Sequence, residues 1–323
     1  MNFRLAFLNC YNLFPPQMQV SRPGAPQNQA EVNAKVASLA GTIRTVFGGD
    51  VPEIIALSEI GSAPLGQHLA RVLDVTGYRS IWSGTPPVGR PQTGVMLLYN
   101  PDVFAEVTGS MRFGPRSITE RPKWLAARFR LHAGSRGAFW LVVNHWKSHV
   151  NDWNAGVRAG SDPLPPLSEI RQIESAQEIG RLYLEQEHEA TEAIILIGDF
   201  NCEPGDKPWK GHQPNRLTGA RQRAVVLRRR NRKAYFYNPM WRFMGEAHDY
   251  DTANTAEYEA PYMMGTFVGV NNRIIAIPLW DQLLVSKGLL IGRQIHFAES
   301  SLTIVRPETG YTDHCAVGAG FTY

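Results

Sequence analysis

Cysteine is scarce. The 323 residues contain three, Cys10, Cys202 and Cys315, an odd number without the paired spacing of a metal site. This excludes a disulfide framework and a thiolate cage, and a reducing compartment fits best, so the expected location is cytoplasmic. Long apolar runs are also missing: none approaches the roughly 18 residues of a spanning helix. The opening MNFRLAFLNCYNLF is interrupted by Asn9 and Asn12 and has no small-residue cleavage site after it, so it reads as a strand and not as an export signal. No G-x-S-x-G elbow or comparable nucleophile context occurs, which disfavours chemistry through a covalent enzyme intermediate. Internal repeats and low-complexity tracts are absent too.

Acidic residues are missing from one segment. Between Lys207 and Gly245 stand three Lys and eight Arg with no Asp or Glu. The chain as a whole carries a formal charge of +4; removing these 11 basic residues from the 33 leaves 22 against 29 acidic ones, so the remainder sits near −7. Such a block displaces counterions from a polyanion, or else forms a solvated loop whose like charges resist packing. Trp209, Tyr235, Phe236, Tyr237, Trp241 and Phe243 accompany it, and aromatics beside phosphate-binding Arg suit stacking on bases, or equally the fastening of a loop to the core.

What is present is a core-forming pattern, with 43% hydrophobic residues. Short runs rich in Val, Ile, Leu and Phe at 3–8, 54–57, 94–99, 124–131, 139–143, 194–197, 283–285 and 315–317 predict buried strands. Val32, Val36, Leu39, Ile43 and Val46 recur every three or four residues and predict an amphipathic helix that stops at Gly48-Gly49. A second helix is expected after Pro165-Pro166, capped by Ser168, with Ile170, Ile173, Ile179 and Leu182 on its buried side; a shorter one holds Leu65, Leu69 and Val72. Strands and helices interleave from end to end, which predicts one layered α/β domain over 1–323 with a basic insert at about 207–245.

The polar residues suited to chemistry stand at the ends of the apolar runs. Asn9 follows LAFL, Glu59 follows IIALS, Asn144-His145 follow WLVV, and Asp199 and Asn201 follow IILIG; Asp281 instead precedes LLV, and Asp313-His314 precede CAV. If the first four strands run one way and the last two the other, these groups meet at one edge of the sheets. Taken singly, Asn9 or Asn201 suits a turn, Glu59 a solvated strand end, and His145 or an Asp-His pair an ordinary packed position. Their joint occurrence in this order carries the functional reading.

The segments LNCYNLF (8–14), IIALSEI (54–60), RPKWLAARF (121–129), VVNHWKS (142–148), ILIGDFNCEP (195–204), WDQLLVS (280–286) and TDHCAV (312–317) resemble, in order, the signatures of the endonuclease/exonuclease/phosphatase superfamily with the DNase-I-like fold. The resemblance implies a four-layered α/β sandwich, two packed mixed or antiparallel sheets flanked by helices. It implies Glu59 as the main carboxylate ligand of Mg²⁺, with Asn9 and Asp313 completing the site and Mn²⁺ as a substitute. Asp199 would orient or deprotonate the attacking water, Asn201 would bond a phosphate oxygen, His145 and His314 would face the phosphate, and Asp281 would hold His314. Arg121 and Lys147 are candidates for phosphate contacts, as are Arg228, Arg229, Arg230 and Arg232 of the basic block. The implied activity is metal-assisted, in-line phosphodiester hydrolysis, and the resemblance covers nucleases as well as hydrolases of a lipid headgroup, inositol phosphate or small nucleotide; nucleic acid leads as partner and substrate because the basic block lies between the GDFN loop and the WDQLLV strand, where it would border the active edge. Tyr11, Ser58, Trp280 and Gln282 depart from the commoner family residues, which bears on a second metal and on substrate class. His149, four residues after His145, reads as a strand exit and not as a ligand.

Overall fold

The computed structural model describes residues 2–84, 92–106, 111–114, 124–132, 137–148, 167–186, 193–209, 217–228, 235–244, 266, 278–292, 294–307 and 310–323. In chain order the regular elements are β1 (Asn2–Leu13), α1 (Gln29–Thr45), β2 (Ile54–Ile60), α2 (Ala63–Val72), β3 (Arg79–Trp82), β4 (Gly94–Tyr99), β5 (Phe104–Glu106), β6 (Arg112–Gly114), β7 (Trp124–Leu131), β8 (Ala138–His145), α3 (Leu167–Gln186), β9 (Ala193–Asp199), β10 (Thr218–Ala220), α4 (Arg223–Arg228), β11 (Tyr235–Tyr237), β12 (Asp281–Val285), α5 (Lys287–Ile291), β13 (His296–Val305) and β14 (Ala316–Thr322). Two mixed sheets result. One has the order β13-β14-β1-β2-β4-β3; the other runs β10-β11-β12-β9-β8-β7-β5, with β6 also pairing β7. Among the described residues no helix is long and apolar enough to cross a membrane.

Strand alternation explains the layers. Phe3, Leu5 and Phe7 of β1, Ile54 and Ala56 of β2, Phe139, Leu141 and Val143 of β8, Ile195 and Ile197 of β9, and Leu283 and Val285 of β12 all bury into one cluster between the sheets. The intervening residues point outward. Leu8, Cys10, Ile55 and Leu57 meet Val32, Val36, Leu39 and Ile43 of α1 and Leu65 and Leu69 of α2. On the other flank Trp140, Val142, Ile194 and Leu196 meet Ala176, Ile179 and Leu182 of α3. Helices, sheet, sheet and helix make four layers, as the resemblance implies. Cys10 and Cys202 pack on the helix sides and all three thiols are buried and free, in keeping with a packing role.

Every run expected to be a strand falls in one, save Cys315, which stands just before β14, and the directions match: β1 is parallel to β2 and β8 to β9, whereas β14 runs against β1 and β12 against β9. Several details differ from expectation. Ser168 lies inside α3, which begins at Leu167, and not at its cap. Ile170 is exposed and Ile173 half-buried, because the inward register belongs to Gln172, Ala176 and Ile179. Gln172 takes that place by donating through Nε2 to the carbonyls of Lys147 and Asn201, both at 2.9 Å, so a polar side chain satisfies backbone that would otherwise be orphaned.

The segment anticipated as a basic insert contributes β10 and β11 to the second sheet in its described parts. Of its six aromatics Tyr235, Trp241 and Phe243 are half-buried and three are core residues: Trp209 and Phe236 lie in the cluster beneath α3, and Tyr237 lies between the sheets. These three are therefore not available for stacking on bases. Several of its basic groups are also engaged: Arg242 donates to the carbonyls of Glu299 and Leu302, Arg223 to that of Leu290, and Lys207 pairs with Glu169 at 3.1 Å.

Candidate active site

The site is the polar end of the inter-sheet core. Continuing each inward-facing register by one more step of two residues leads from Phe7 to Asn9, from Val143 to His145, from Ile197 to Asp199, and backwards from Leu283 to Asp281. Hydrophobic packing thus fixes the strands, and the same alternation delivers polar groups to one edge. Registers agree: Asp281 lies opposite Asp199, and His145 beside Asp199.

Glu59 reaches this edge by a different route. In strict alternation it would share the outward face of Leu57, but its backbone adopts φ +57° and the β2 pairings shift between Leu57 and Ile60. Such irregularities re-aim a side chain. A matching shift interrupts β1 between Asn9 and Leu13, where Tyr11 and Asn12 have φ +44° and +59°. The Asn12 N–H then donates to Glu59 Oε2 at 2.7 Å.

Asn9 is the hub. Its side chain is fully buried; Nδ2 lies 3.1 Å from Asp199 Oδ2, 3.3 Å from His314 Nε2 and 3.4 Å from Glu59 Oε1, and Oδ1 accepts from the Tyr11 N–H at 2.9 Å. His145 Nε2 faces Glu59 Oε1 at 3.4 Å and Asp199 Oδ2 at 3.9 Å. His314 Nδ1 meets Asp281 Oδ2 at 2.7 Å, and its Nε2 points at Asp313 Oδ1 (3.7 Å) and Asp199 Oδ2 (3.9 Å). Asn201, with φ +49°, donates its N–H to Asp199 Oδ1 at 2.9 Å and turns its Nδ2 inward to the Trp146 carbonyl at 3.2 Å. Gly198 admits this packing because it has φ +147° and a Cβ there would lie 2.2 Å from the Asn144 carbonyl oxygen.

Electrostatics follow from crowding acids and imidazoles in a dry place. Burial alone would raise Glu59, but the hydrogen bond and charge of His145, the charge of His314 and the Asn12 N–H hold it down at about 2. Burial pushes Asp313 up to about 6, opposed by His314 and reinforced by the Glu59 charge. Burial also works against a charged His314 ring, yet the carboxylates of Asp281, Asp199 and Asp313 outweigh it and raise the imidazole to about 10. The surrounding carboxylates thus favour the imidazolium form of the ring at neutral pH.

The residues fit an oxygen-preferring cation. Glu59 and Asp313 are hard donors, and Asp313 Oδ1 is buried without a hydrogen-bond partner; Asn9, expected to complete the site, instead turns Nδ2 to Glu59 and Asp199 and its Oδ1 to the Tyr11 N–H, so it supports the carboxylates and offers no oxygen to the cluster. Asp199, Asp281 and His314 also present ligand atoms within 4.8 Å of one another, but the short Nδ1 to Oδ2 bond already accounts for the Asp281–His314 part of that set.

Not every candidate joins the cluster. Lys147 is half-buried and its ammonium donates to the Ser148 carbonyl at 3.0 Å. Asn144 is wholly internal, bonding the carbonyls of Val142 and Ile197 and the Trp146 indole. Arg228 is exposed at the end of α4, the element before β11, and β11 meets β12 at Val285, four residues or roughly 13 Å beyond Asp281. It therefore lies toward the far end of the sheet from the cluster. Arg121, His149, Arg229, Arg230 and Arg232 lie outside the described residues.

Four supporting residues were given no role from the sequence, Asn12 and Thr312 although they stand within the quoted segments 8–14 and 312–317. Thr312 Oγ1 donates to the Asn9 carbonyl at 2.8 Å, Thr266 Oγ1 accepts from the Asp281 N–H at 2.7 Å, Asn12 grips Glu59, and Lys35 lies beneath Tyr11. Of the two outside those segments, Lys35 left a trace in the sequence, as a charge three residues after Val32 on the apolar stripe of α1, and Thr266 left none.

The family model described as "Endonuclease/Exonuclease/phosphatase family" matches residues 7–301. No curated protein matches the chain. Solved structures share the fold at low identity. The endonuclease/exonuclease/phosphatase from Bacteroides vulgatus is 15% identical with a TM-score of 0.57, over 100% of this chain and 99% of that one. The catalytic domain of human Nocturnin with bound sulfate anion is 13% identical with a TM-score of 0.53, over 99% and 94%. D. rerio TDP2 complexed with single strand DNA product is 12% identical with a TM-score of 0.53, over 100% and 99%.

Proposed function

Because this chain belongs to the endonuclease/exonuclease/phosphatase family, we propose that it is a Mg²⁺-dependent phosphodiester hydrolase acting on nucleic acid. The observation that carries the reading is the convergence of Asn9, Glu59, His145, Asp199 and the Asp281–His314 pair at one strand-end edge.

A phosphodiester resists hydroxide because both are anionic, so catalysis needs charge neutralisation, an activated water and a stabilised leaving oxygen. Glu59 and Asp313, with Asn9 supporting Glu59 through its amide N–H, would hold Mg²⁺ or Mn²⁺, which when bound supplies Lewis-acid neutralisation of the phosphate. Asp199 orients and deprotonates the attacking water; its Oδ1 is occupied by the Asn201 N–H, which leaves Oδ2 directed into the cluster. Asn201, with its amide turned inward, acts by positioning Asp199. The His314 imidazolium, kept charged by Asp281, and His145 face the phosphate oxygens and stabilise the charge that grows on them. Water attacks directly, so no covalent enzyme intermediate is required.

Nucleic acid as substrate is supported by the fold shared with D. rerio TDP2, whose structure holds a single strand DNA product. A second reading, hydrolysis of a lipid headgroup, inositol phosphate or small nucleotide, is favoured by the position of Arg228 away from the cluster and by the core packing of Trp209, Phe236 and Tyr237 of the basic block. Turnover with Mg²⁺ on single-stranded DNA, duplex DNA, RNA, sphingomyelin and bis-p-nitrophenyl phosphate separates the two. Cleavage of the oligonucleotides well above the rest is expected; turnover of sphingomyelin or the small diester alone would reassign the substrate.

A further inference from the structure

Lys35 is a charged residue in an apolar place. It sits on the inward stripe of α1 between Val32, Val36 and Leu39, and only 2% of its surface is exposed. No carboxylate among the described residues forms an ion pair with it. Its ammonium donates instead to the carbonyl of Tyr11 and, at 2.6 Å, to that of Gly24, and it lies 5.3 Å from the centre of the Tyr11 ring. Burying an ammonium costs several kcal/mol unless its hydrogen bonds are satisfied, so these contacts account for its presence in the core. They do not explain why an apolar residue is not there.

The Tyr11–Asn12 peptide supplies the explanation. In a trans peptide the C=O and the following N–H point in opposite directions. The Tyr11 carbonyl points to Lys35, and the Asn12 N–H of the same peptide points to Glu59 Oε2. A rotation of that plane would set a carbonyl oxygen against the Glu59 carboxylate. The preceding peptide is fixed as well, since the Tyr11 N–H donates to Asn9 Oδ1 and so directs the Asn9 Nδ2 into the cluster. Both Tyr11 and Asn12 occupy the left-handed region, which non-glycine residues hold only when their surroundings enforce it. Gly24 closes the arrangement: it has φ +72°, and a Cβ there would stand 2.2 Å from the Tyr11 ring.

We propose that Lys35 is a positioning residue, which by gripping the Tyr11 carbonyl orients the β1 irregularity so that Asn12 and Asn9 present Glu59 and the cluster in working geometry. The geometric part stands by itself; its consequence for metal binding rests on the reading given under Proposed function.

The test compares Lys35→Met with Val36→Ala, a neighbouring core truncation on the same helix that destabilises without touching Tyr11. Hydrogen exchange of the Asn12 amide is followed by NMR without metal, and Mn²⁺ binding by calorimetry. Lys35→Met is expected to speed Asn12 exchange more than about tenfold and to raise the Kd for Mn²⁺ by a similar factor, while Val36→Ala lowers the melting temperature and changes each by less than about twofold. An Asn12 amide still protected in Lys35→Met, or equal effects in Val36→Ala, would overturn the proposal. If Lys35→Met does not fold, Gly24→Ala, which drives the Tyr11 ring aside with Lys35 intact, must give the same two changes. Faster Asn12 exchange combined with Mn²⁺ binding that Glu59→Gln leaves unaltered would uphold the role of Lys35 and remove Glu59 from the metal site.

Discussion

His314 Nδ1 and Asp281 Oδ2 meet at 2.7 Å with both residues buried, and Asp281 Oδ1 has no hydrogen-bond partner, so the carboxylate is committed to the imidazole. The pair works as one unit. Asp281→Asn and His314→Ala are each expected to lower kcat by about 10²-fold or more with folding retained, since each removes charge stabilisation realised mainly in the transition state. The double variant should be scarcely worse than either single one. Single-turnover rates on one oligonucleotide check this, and multiplicative losses would separate the two residues.

The same pair sets a pH dependence of stability. The folded-state value of His314 is raised to about 10 against about 6.5 when unfolded. A raised value means that the stabilisation is fully present below about pH 6.5 and is lost as pH climbs through the folded-state value. With EDTA present, the excess of the wild-type urea midpoint over that of His314→Gln should shrink steadily from pH 6.5 to 10. An excess that grows over this range would mean a neutral ring in the folded protein.

Metal dependence follows from the donor set. Activity is expected to vanish with EDTA and to return with Mg²⁺ or Mn²⁺, because Glu59 and Asp313 offer oxygen ligands only. Glu59→Gln should shift the Mg²⁺ midpoint for activity upward by at least about tenfold; the protein should still fold, since the side chain is 18% exposed and lies outside the apolar clusters, but melt somewhat lower, since the charge that His145, His314 and the Asn12 N–H stabilise is lost. Full turnover after exhaustive chelation would remove the metal from the mechanism.

If the Arg-rich segment tracks a nucleic-acid backbone, neutralising Arg228, Arg229, Arg230 and Arg232 together raises KM for oligonucleotides but leaves kcat on bis-p-nitrophenyl phosphate unchanged. Arg228 lies toward the far end of β12, so the effect should appear only with oligonucleotides longer than about four nucleotides, at roughly 3.4 Å each along a strand. The slope of log KM against log salt should flatten by about 0.7 for each phosphate of a single strand that the variant no longer neutralises. A wild-type slope in the variant would favour the small-diester reading.

Much of the site was legible because one property, strand alternation, governs both core and chemistry. A run such as IILIGD must place Asp199 on the face of Ile195 and Ile197, and the order of such runs suffices to predict a shared edge. The antiparallel return of β12 and β14 was likewise readable from Asp281 and His314 preceding their apolar runs. Legibility ended where the backbone departs from regularity. Glu59 reaches the cluster through a positive φ that no propensity of Glu foretells, and Asn201 turns inward for the same kind of reason.

Local periodicity in the sequence was enough to mark the strands, the face each side chain takes and the polar residues at the strand ends; the four layers followed from the family resemblance, and the strand directions were a condition that the packed sheets meet. It took the packed structure to show that Gln172 displaces Ile170 from the inward register, that Trp209 and Phe236 are core residues, that Arg228 lies away from the cluster, and that Lys35 and Glu59 hold opposite ends of one peptide. Each depends on a partner distant in the chain: a carbonyl to satisfy, a helix to cover, a strand to join. Periodicity is local and cannot encode such partners; they exist only once the sheets have packed.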